Sequence, residues 1–146
     1  RIYGYKMDGY WSNIASVDDY FNTNMDFLKP DVRHYFFKQY PEVHSKVADL
    51  PPAKYNTGVT VKNSLLSSGC IVNGTIEDSV LFQQVYVGSN CVIRNSLILN
   101  DVYIGDNTYL ENCIVESDST IQANSYYKAE NGIRIIVEEK GERYNI

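Results

Sequence analysis

The sequence is poor in the residues on which much catalysis depends. It has two histidines, His34 and His44. For each, a solvated or structurally hydrogen-bonded imidazole is the expectation rather than a catalytic one. Its three cysteines (Cys70, Cys91 and Cys113) are an odd set without CxxC spacing, which argues against paired-thiol metal or redox motifs. Buried, reduced thiols in a cytoplasmic protein are expected instead. No apolar run approaches the roughly 20 residues that span a bilayer, and no signal-peptide pattern opens the chain. With 13 Lys and Arg against 18 Asp and Glu, the net charge is −5. That balance gives no reason to expect nucleic acid or an anionic membrane as a partner. No GxSxG, phosphate-cradling glycine loop or metal-ligand cluster is present. Beginning at Arg1 rather than Met, the sequence reads as part of a longer chain.

What the sequence does have is repetition. Val61-Lys-Asn-Ser-Leu-Leu66, Ile76-Glu-Asp-Ser-Val-Leu81, Ile93-Arg-Asn-Ser-Leu-Ile98 and Leu110-Glu-Asn-Cys-Ile-Val115 share one order of residue types, their starts 15, 17 and 17 residues apart. Val87-Gly-Ser-Asn, Ile104-Gly-Asp-Asn and Ile121-Gln-Ala-Asn recur at 17. Aliphatic residues step by five or six: Ile76, Leu81, Val87, Ile93, Ile98, Ile104, Leu110, Val115, Ile121. Four residues after each sits a small or aliphatic residue: Val80, Val85, Cys91, Leu97, Val102, Thr108, Ile114, Ser119, Ser125. This is the hexapeptide pattern of a parallel β-helix with three short strands per coil. One coil cannot bury its own aliphatic row, so coils must stack into a continuous core. Asn63, Asp78, Asn95 and Asn112 then form a column of potential hydrogen bonds. Gly88 and Gly105 mark corners that need positive φ or close approach.

The flanks read differently. Residues 1–15 suggest a strand and a turn leading to a helix. Ser16 is its N-cap, Asp18 and Asp19 lie in its first turn, and Val17, Phe21, Met25 and Leu28 form its apolar face. Pro30 is expected to end this single helix. A β-helix is an awkward partner for it, so residues 1–28 read as the end of an upstream domain. Residues 29–54 read as a linker, with a brief edge strand at Val43, Ser45 and Val47, and with His34-Tyr-Phe-Phe37 packing it down. Residues 55–125 form the β-helix, and 126–146 a capping segment. In that last part, 126–132 is turn-like, 133–137 a β run, and 138–143 a charged hairpin or tail.

Within 59–125 there is no histidine. That argues strongly against the acyltransferase chemistry common on such coils, which generally needs a histidine base. The same stretch has Lys62 and Arg94 against seven acidic residues, so it lacks the clustered cations that hold phosphorylated ligands. By itself it reads as a scaffold.

Three ordered segments add a resemblance. Tyr10-Trp-Ser-Asn-Ile-Ala-Ser16 with Asp19-Tyr-Phe-Asn-Thr-Asn-Met-Asp-Phe-Leu28 looks like the end of the catalytic domain of ADP-glucose pyrophosphorylase (glucose-1-phosphate adenylyltransferase). Leu50-Pro-Pro-Ala-Lys-Tyr55 resembles that family's linker. The run from Asn63 to Phe82 resembles its first coils, and Gly132-Ile-Arg-Ile-Ile-Val137 its closing strand. The resemblance implies a left-handed β-helix after an α/β nucleotidyltransferase domain, serving subunit association and allosteric control. It also implies Mg²⁺ for catalytic members, with no cofactor held by this part of the chain.

The departures matter. Catalytic members read Tyr-Trp-x-Asp-(Ile/Val)-Gly-Thr, and the Asp helps hold magnesium; here the matching residue is Asn13, followed by Ala15 and Ser16. A neutral amide compensates Mg²⁺ less well than a carboxylate. The effector-binding cations of bacterial members are not evident either, with Gln84, Tyr86, Glu111 and Asn112 in the corresponding stretches. The resemblance therefore implies the non-catalytic D-type subunit of glycogen synthesis, with no catalytic residue here. Its expected partners are a homologous catalytic subunit, or copies of itself. The alternatives are part of an active adenylyltransferase, or another sugar-nucleotide pyrophosphorylase or a translation-factor relative with the same domain order. Phe82, Tyr86 and Tyr109 are the expected exposed interface anchors.

Overall fold

A computed structural model describes residues 1–38, 42–139 and 143. Among these residues, fifteen short strands wind into a parallel β-helix of three five-stranded sheets. The first sheet holds β1 (Lys54–Tyr55), β4 (Ile71–Val72), β7 (Tyr86–Val87), β10 (Tyr103–Ile104) and β13 (Thr120–Ile121). The second holds β2 (Thr60–Lys62), β5 (Thr75–Glu77), β8 (Val92–Arg94), β11 (Tyr109–Glu111) and β14 (Tyr126–Lys128). The third holds β3 (Leu65–Leu66), β6 (Val80–Leu81), β9 (Leu97–Ile98), β12 (Cys113–Val115) and β15 (Arg134–Ile136). Every strand pairs in parallel with the strand one coil away, as in Ile76 with Ile93 and Ile93 with Leu110.

The strands are short because a corner follows each. Asn63, Asp78, Asn95 and Asn112 take φ between 43° and 56°, a left-handed conformation that Asn and Asp tolerate better than most residues. Their side chains then bond along the axis. Asn63 Nδ2 donates to Asp78 Oδ1 at 2.6 Å, and Asn95 Nδ2 to Asn112 Oδ1 at 2.7 Å. A second amide column runs Asn90 to Asn107 to Asn124, each step 3.2 Å. Gly88 and Gly105 meet the close-approach requirement rather than positive φ. A Cβ on Gly88 would lie 2.4 Å from Asp106 Oδ1, and one on Gly105 would lie 2.5 Å from the Ala123 nitrogen.

The nine stepped aliphatic residues from Ile76 to Ile121 are all fully buried. The second series divides. Val85, Cys91 and Val102 join the same core, whereas Val80, Leu97 and Ile114 belong to a separate apolar cluster. The reason is the step length. Where the aliphatic step is five, the residue four positions on immediately precedes the next inward one, so it faces outward. Ser79, Ser96 and Cys113 take the inward place there, all of them fully buried. Their polar atoms are satisfied. Ser79 Oγ donates to Glu77 O at 2.7 Å and accepts from the Ser96 N–H at 3.1 Å, and Ser96 Oγ repeats the pattern with Arg94 O and the Cys113 N–H. The three cysteines are free and buried. Burial pushes each thiol up, which keeps it protonated and unreactive.

The flanks correct several expectations. Among the described residues two helices rather than one precede the coils, α1 (Val17–Asp26) and α2 (Pro30–Lys38). Pro30 opens the second instead of merely ending the first, because proline is favoured at the first helical position, where no amide hydrogen is needed. Phe36 of the expected aromatic packing cluster lies against Tyr10, Phe27 and Tyr35 at 5.1–5.4 Å. No strand forms in residues 1–15 or at Val43–Val47. Neither segment has a neighbouring strand to pair with, and an unpaired strand has little stability. The repeat also runs past position 125, since β14 pairs with β11 through Tyr109–Tyr126, Leu110–Tyr127 and Glu111–Lys128. Residues 140–142 of the expected hairpin over 138–143 lie outside the described residues.

The C-terminal end of the core is roofed. Tyr127 continues the inward column of Leu110, Arg134 sits 4.9 Å over its ring, and its hydroxyl donates to Glu138 Oε1. Arg143 lies over the corners, donating to Asp101 Oδ1 at 3.2 Å, Asp101 O at 3.0 Å and Thr120 Oγ1 at 3.0 Å. Among the described residues no helix is long and apolar enough to cross a membrane.

Candidate functional site

The outward column of the third sheet is aliphatic where a solvated solenoid would be polar: Leu65, Val80, Leu97, Ile114 and Ile135. Helix α1 lies over it. Phe21, with 4% of its surface exposed, is packed with Val80, Leu97 and Ile114, and Tyr20, Met25, Leu28 and Phe82 border them. The partner that α1 needs is therefore the β-helix itself, contrary to the expectation from sequence. The outward aliphatic column was the signal that could have found it.

Through α1 this face holds the segment that carries Asn13. Ser16 Oγ accepts the Asp19 N–H at 3.1 Å, and Asp19 Oδ2 accepts the Ala15 N–H at 3.3 Å, a reciprocal cap. Tyr10 donates its hydroxyl to Asp26 Oδ2 at 3.0 Å, and Ser12 Oγ lies 2.6 Å from Thr23 Oγ1. Burial and the bond to Asp26 raise the Tyr10 hydroxyl's pKa. Lys29, at 2.6 Å, lowers that of Asp26. Residues 10–16 are thus laced back along α1. Beside them a groove of about 570 Å³ runs between Ile14, Val17 and Tyr20 on one side and Leu99, Ile114 and Ile135 on the other.

Asn13 itself is exposed. No group of three or more His, Cys, Asp or Glu residues that could hold a metal occurs among the described residues.

The expected interface anchors differ in place. Phe82 belongs to the helix-covered cluster. Tyr86 and Tyr109 are half-buried rather than exposed, because each stacks on the tyrosine one coil on. Tyr86 and Tyr103 lie 4.7 Å apart and Tyr109 and Tyr126 5.0 Å apart, nearly parallel in both cases. Stacking covers the facing side of each ring, and Tyr126, at the end of its pair, is 67% exposed. Tyr86→Ala and Tyr109→Ala should each cost about 0.5–1.5 kcal/mol for the lost stack in addition to lost burial. Thermal melts of the two variants check this, and unchanged melting temperatures would remove the stacks from the account.

The second sheet's outer edge alternates in charge through Lys62, Glu77, Arg94, Glu111 and Lys128. Arg94 Nε lies 3.1 Å from Glu77 Oε2, and Lys128 Nζ 3.5 Å from Glu111 Oε2. The Tyr109 hydroxyl, 2.8 Å away, is the main cause that lowers the Glu111 pKa. Arg94 and Lys128 are therefore engaged along the ladder, with Arg94 paired to Glu77 instead of grouped to receive a phosphate.

The family model described as GlmU-like, C-terminal hexapeptide, matches residues 50–132, more than half of the chain. The chain belongs to this GlmU-like hexapeptide family. Among curated relatives, it is 36% identical over 90 residues to the glycogen biosynthesis protein GlgD of Bacillus subtilis (strain 168), covering 62% of this chain and 26% of that one. It is 35% identical over 94 residues to a glucose-1-phosphate adenylyltransferase of Clostridium botulinum (strain Eklund 17B / Type B), covering 64% and 24%. It is 31% identical over 93 residues to that of Pseudothermotoga lettingae, covering 64% and 22%. The hexapeptide chain thus spans about a quarter of the length of these relatives.

Proposed function

We propose that this chain is the association and coupling part of a glycogen-biosynthesis protein of the GlgD and adenylyltransferase kind. In this reading it does no chemistry itself. The observation that carries the proposal is the seating of α1 on the third sheet. A helix that holds the Asn13 segment is packed on the solenoid, so a displacement of the coils reaches that segment through a rigid contact rather than a linker. The paired charge ladder and the lack of a histidine in the coils support a scaffold over a catalyst. Asn13, where the resembled enzymes carry a metal-binding carboxylate, supports a non-catalytic subunit with a homologous catalytic subunit or a second copy as partner. The cytoplasm is the proposed compartment. The half-buried Tyr86 and Tyr109 edges are the proposed anchors, and sedimentation of the longer protein with its partner tests them. Complex formation unchanged in both alanine variants removes them from the interface.

A second reading, part of an active adenylyltransferase, is favoured by the 31–35% identity to enzymes of that name. The two separate on activity. The 146-residue chain should release no pyrophosphate from ATP and glucose 1-phosphate, and release would overturn the proposal. In the longer protein assayed without a partner, the wild type should be weak, and Asn13→Asp should raise activity if the other catalytic groups are intact. Full wild-type activity there would establish the second reading.

A further inference from the structure

The sequence contains two Asn-Gly pairs, Asn73-Gly74 and Asn131-Gly132, and the fold treats them in opposite ways. At an Asn-Gly pair the glycine nitrogen, unshielded by any neighbouring Cβ, can attack the asparagine side-chain carbonyl. Asn73 is held against this. Its Nδ2 donates to Val87 O at 3.1 Å, its Oδ1 accepts from Asn56 Nδ2, and its backbone N–H bonds Val87 O at 3.0 Å. Gly74 is buried so tightly that a Cβ there would lie 2.6 Å from Cys91 O. Asn131 has none of these restraints. It lies exposed in the bend between β14 and β15, outside every strand, and Gly132 has open space around it at φ +80°.

We propose that Asn131 is a selective site of spontaneous deamidation, placed on the connection that delivers the closing strand. The Gly132 nitrogen gives up its proton as it bonds to Asn131 Cγ, the Cγ–Nδ2 bond breaks, and ammonia leaves a five-membered succinimide. Water then opens the ring. Breaking the new Cγ–N bond gives aspartate at position 131. Breaking the bond to the original main-chain carbonyl gives an isoaspartyl link, with one extra atom in the main chain. Either product adds a negative charge three residues before Arg134, the residue that roofs Tyr127. Elapsed time is thereby recorded as a charge at the end cap, while the equivalent pair inside the coils stays intact.

The test is to age the purified 146-residue chain in mildly alkaline buffer, folded and in urea, and to map the small mass gain and isoaspartate by peptide mass spectrometry. In the folded chain position 131 should convert at least about tenfold faster than 73, since an opening cost of only ~1.4 kcal/mol at the hydrogen-bonded Asn73 gives that factor. In urea the two rates should converge. Asn131→Gln should remove the folded-state signal. Equal rates at the two positions in the folded chain, or faster conversion at Asn73, would overturn the proposal. A difference that persists undiminished in urea would also overturn it, because the selectivity would then come from local sequence and not from the fold.

Discussion

Replacing Ile104 by Asp should unfold the coil stack, at a cost above about 4 kcal/mol, in the exceptional range for a single substitution. Ile104 is fully buried, with Val87 and Ile121 in register on either side. A carboxylate there has no partner, and an unpaired buried charge either stays ionised at severe cost or takes up a proton and still leaves polar atoms unsatisfied. Because neighbouring coils share one core, the damage is not confined to one strand. Domains of this size have about 5–15 kcal/mol in all. The contrast is Asp106→Asn, two residues on and outward. Asp106 Oδ1 accepts the Ser89 N–H at 2.8 Å, and asparagine keeps that acceptor, so the change should stay within about 0.5 kcal/mol. Melting temperatures of the two variants decide the inside–outside register, and equal values would refute it.

That register was legible in the sequence because a solenoid is nearly one-dimensional: a residue's neighbours above and below lie one period away, and the period can be counted. The asparagine columns followed for the same reason. What could not be counted was contact between elements with no shared period. Val80, Leu97 and Ile114 obey the repeat as well as Val85 and Val102 do, yet they face the opposite way, because a five-residue step shifts them across the strand. The repeat alone assigns them no side, so the surface that α1 covers did not stand out. Pro30 misled for a different reason. Proline is compatible with the end of one helix and the start of another, and the apolar residues after it form too short a run to choose. The tyrosine stacks were readable, since Tyr86 with Tyr103 and Tyr109 with Tyr126 are one period apart, but the individual residues resemble exposed anchors until the pairing is drawn. Asn13 was legible only through resemblance, for nothing in its own surroundings marks it.

The contact that escaped the sequence also has a distinct expected failure. Phe21→Ala should release α1 while leaving the coils folded. Removing a buried phenylalanine side chain costs about 3–5 kcal/mol, and Phe21 is the buried residue of α1. A helix of 10 residues has little stability of its own, since isolated helices below about 12–15 residues are marginal in water. The solenoid core contains none of the residues that pack around Phe21, so it should keep its own cooperative transition. Limited proteolysis of the variant should cut within residues 1–38 and leave a resistant product spanning 54–136, with a matching loss of helical circular dichroism. Full collapse of the chain in one step would mean that α1 is part of the solenoid's folding unit, and an unchanged digest would mean that the helix does not depend on Phe21. In the longer protein the same variant separates two roles that the proposal joins. Association through the coil surfaces should persist, whereas any response relayed to the Asn13 segment should be lost, because the path between them runs through this one packed helix.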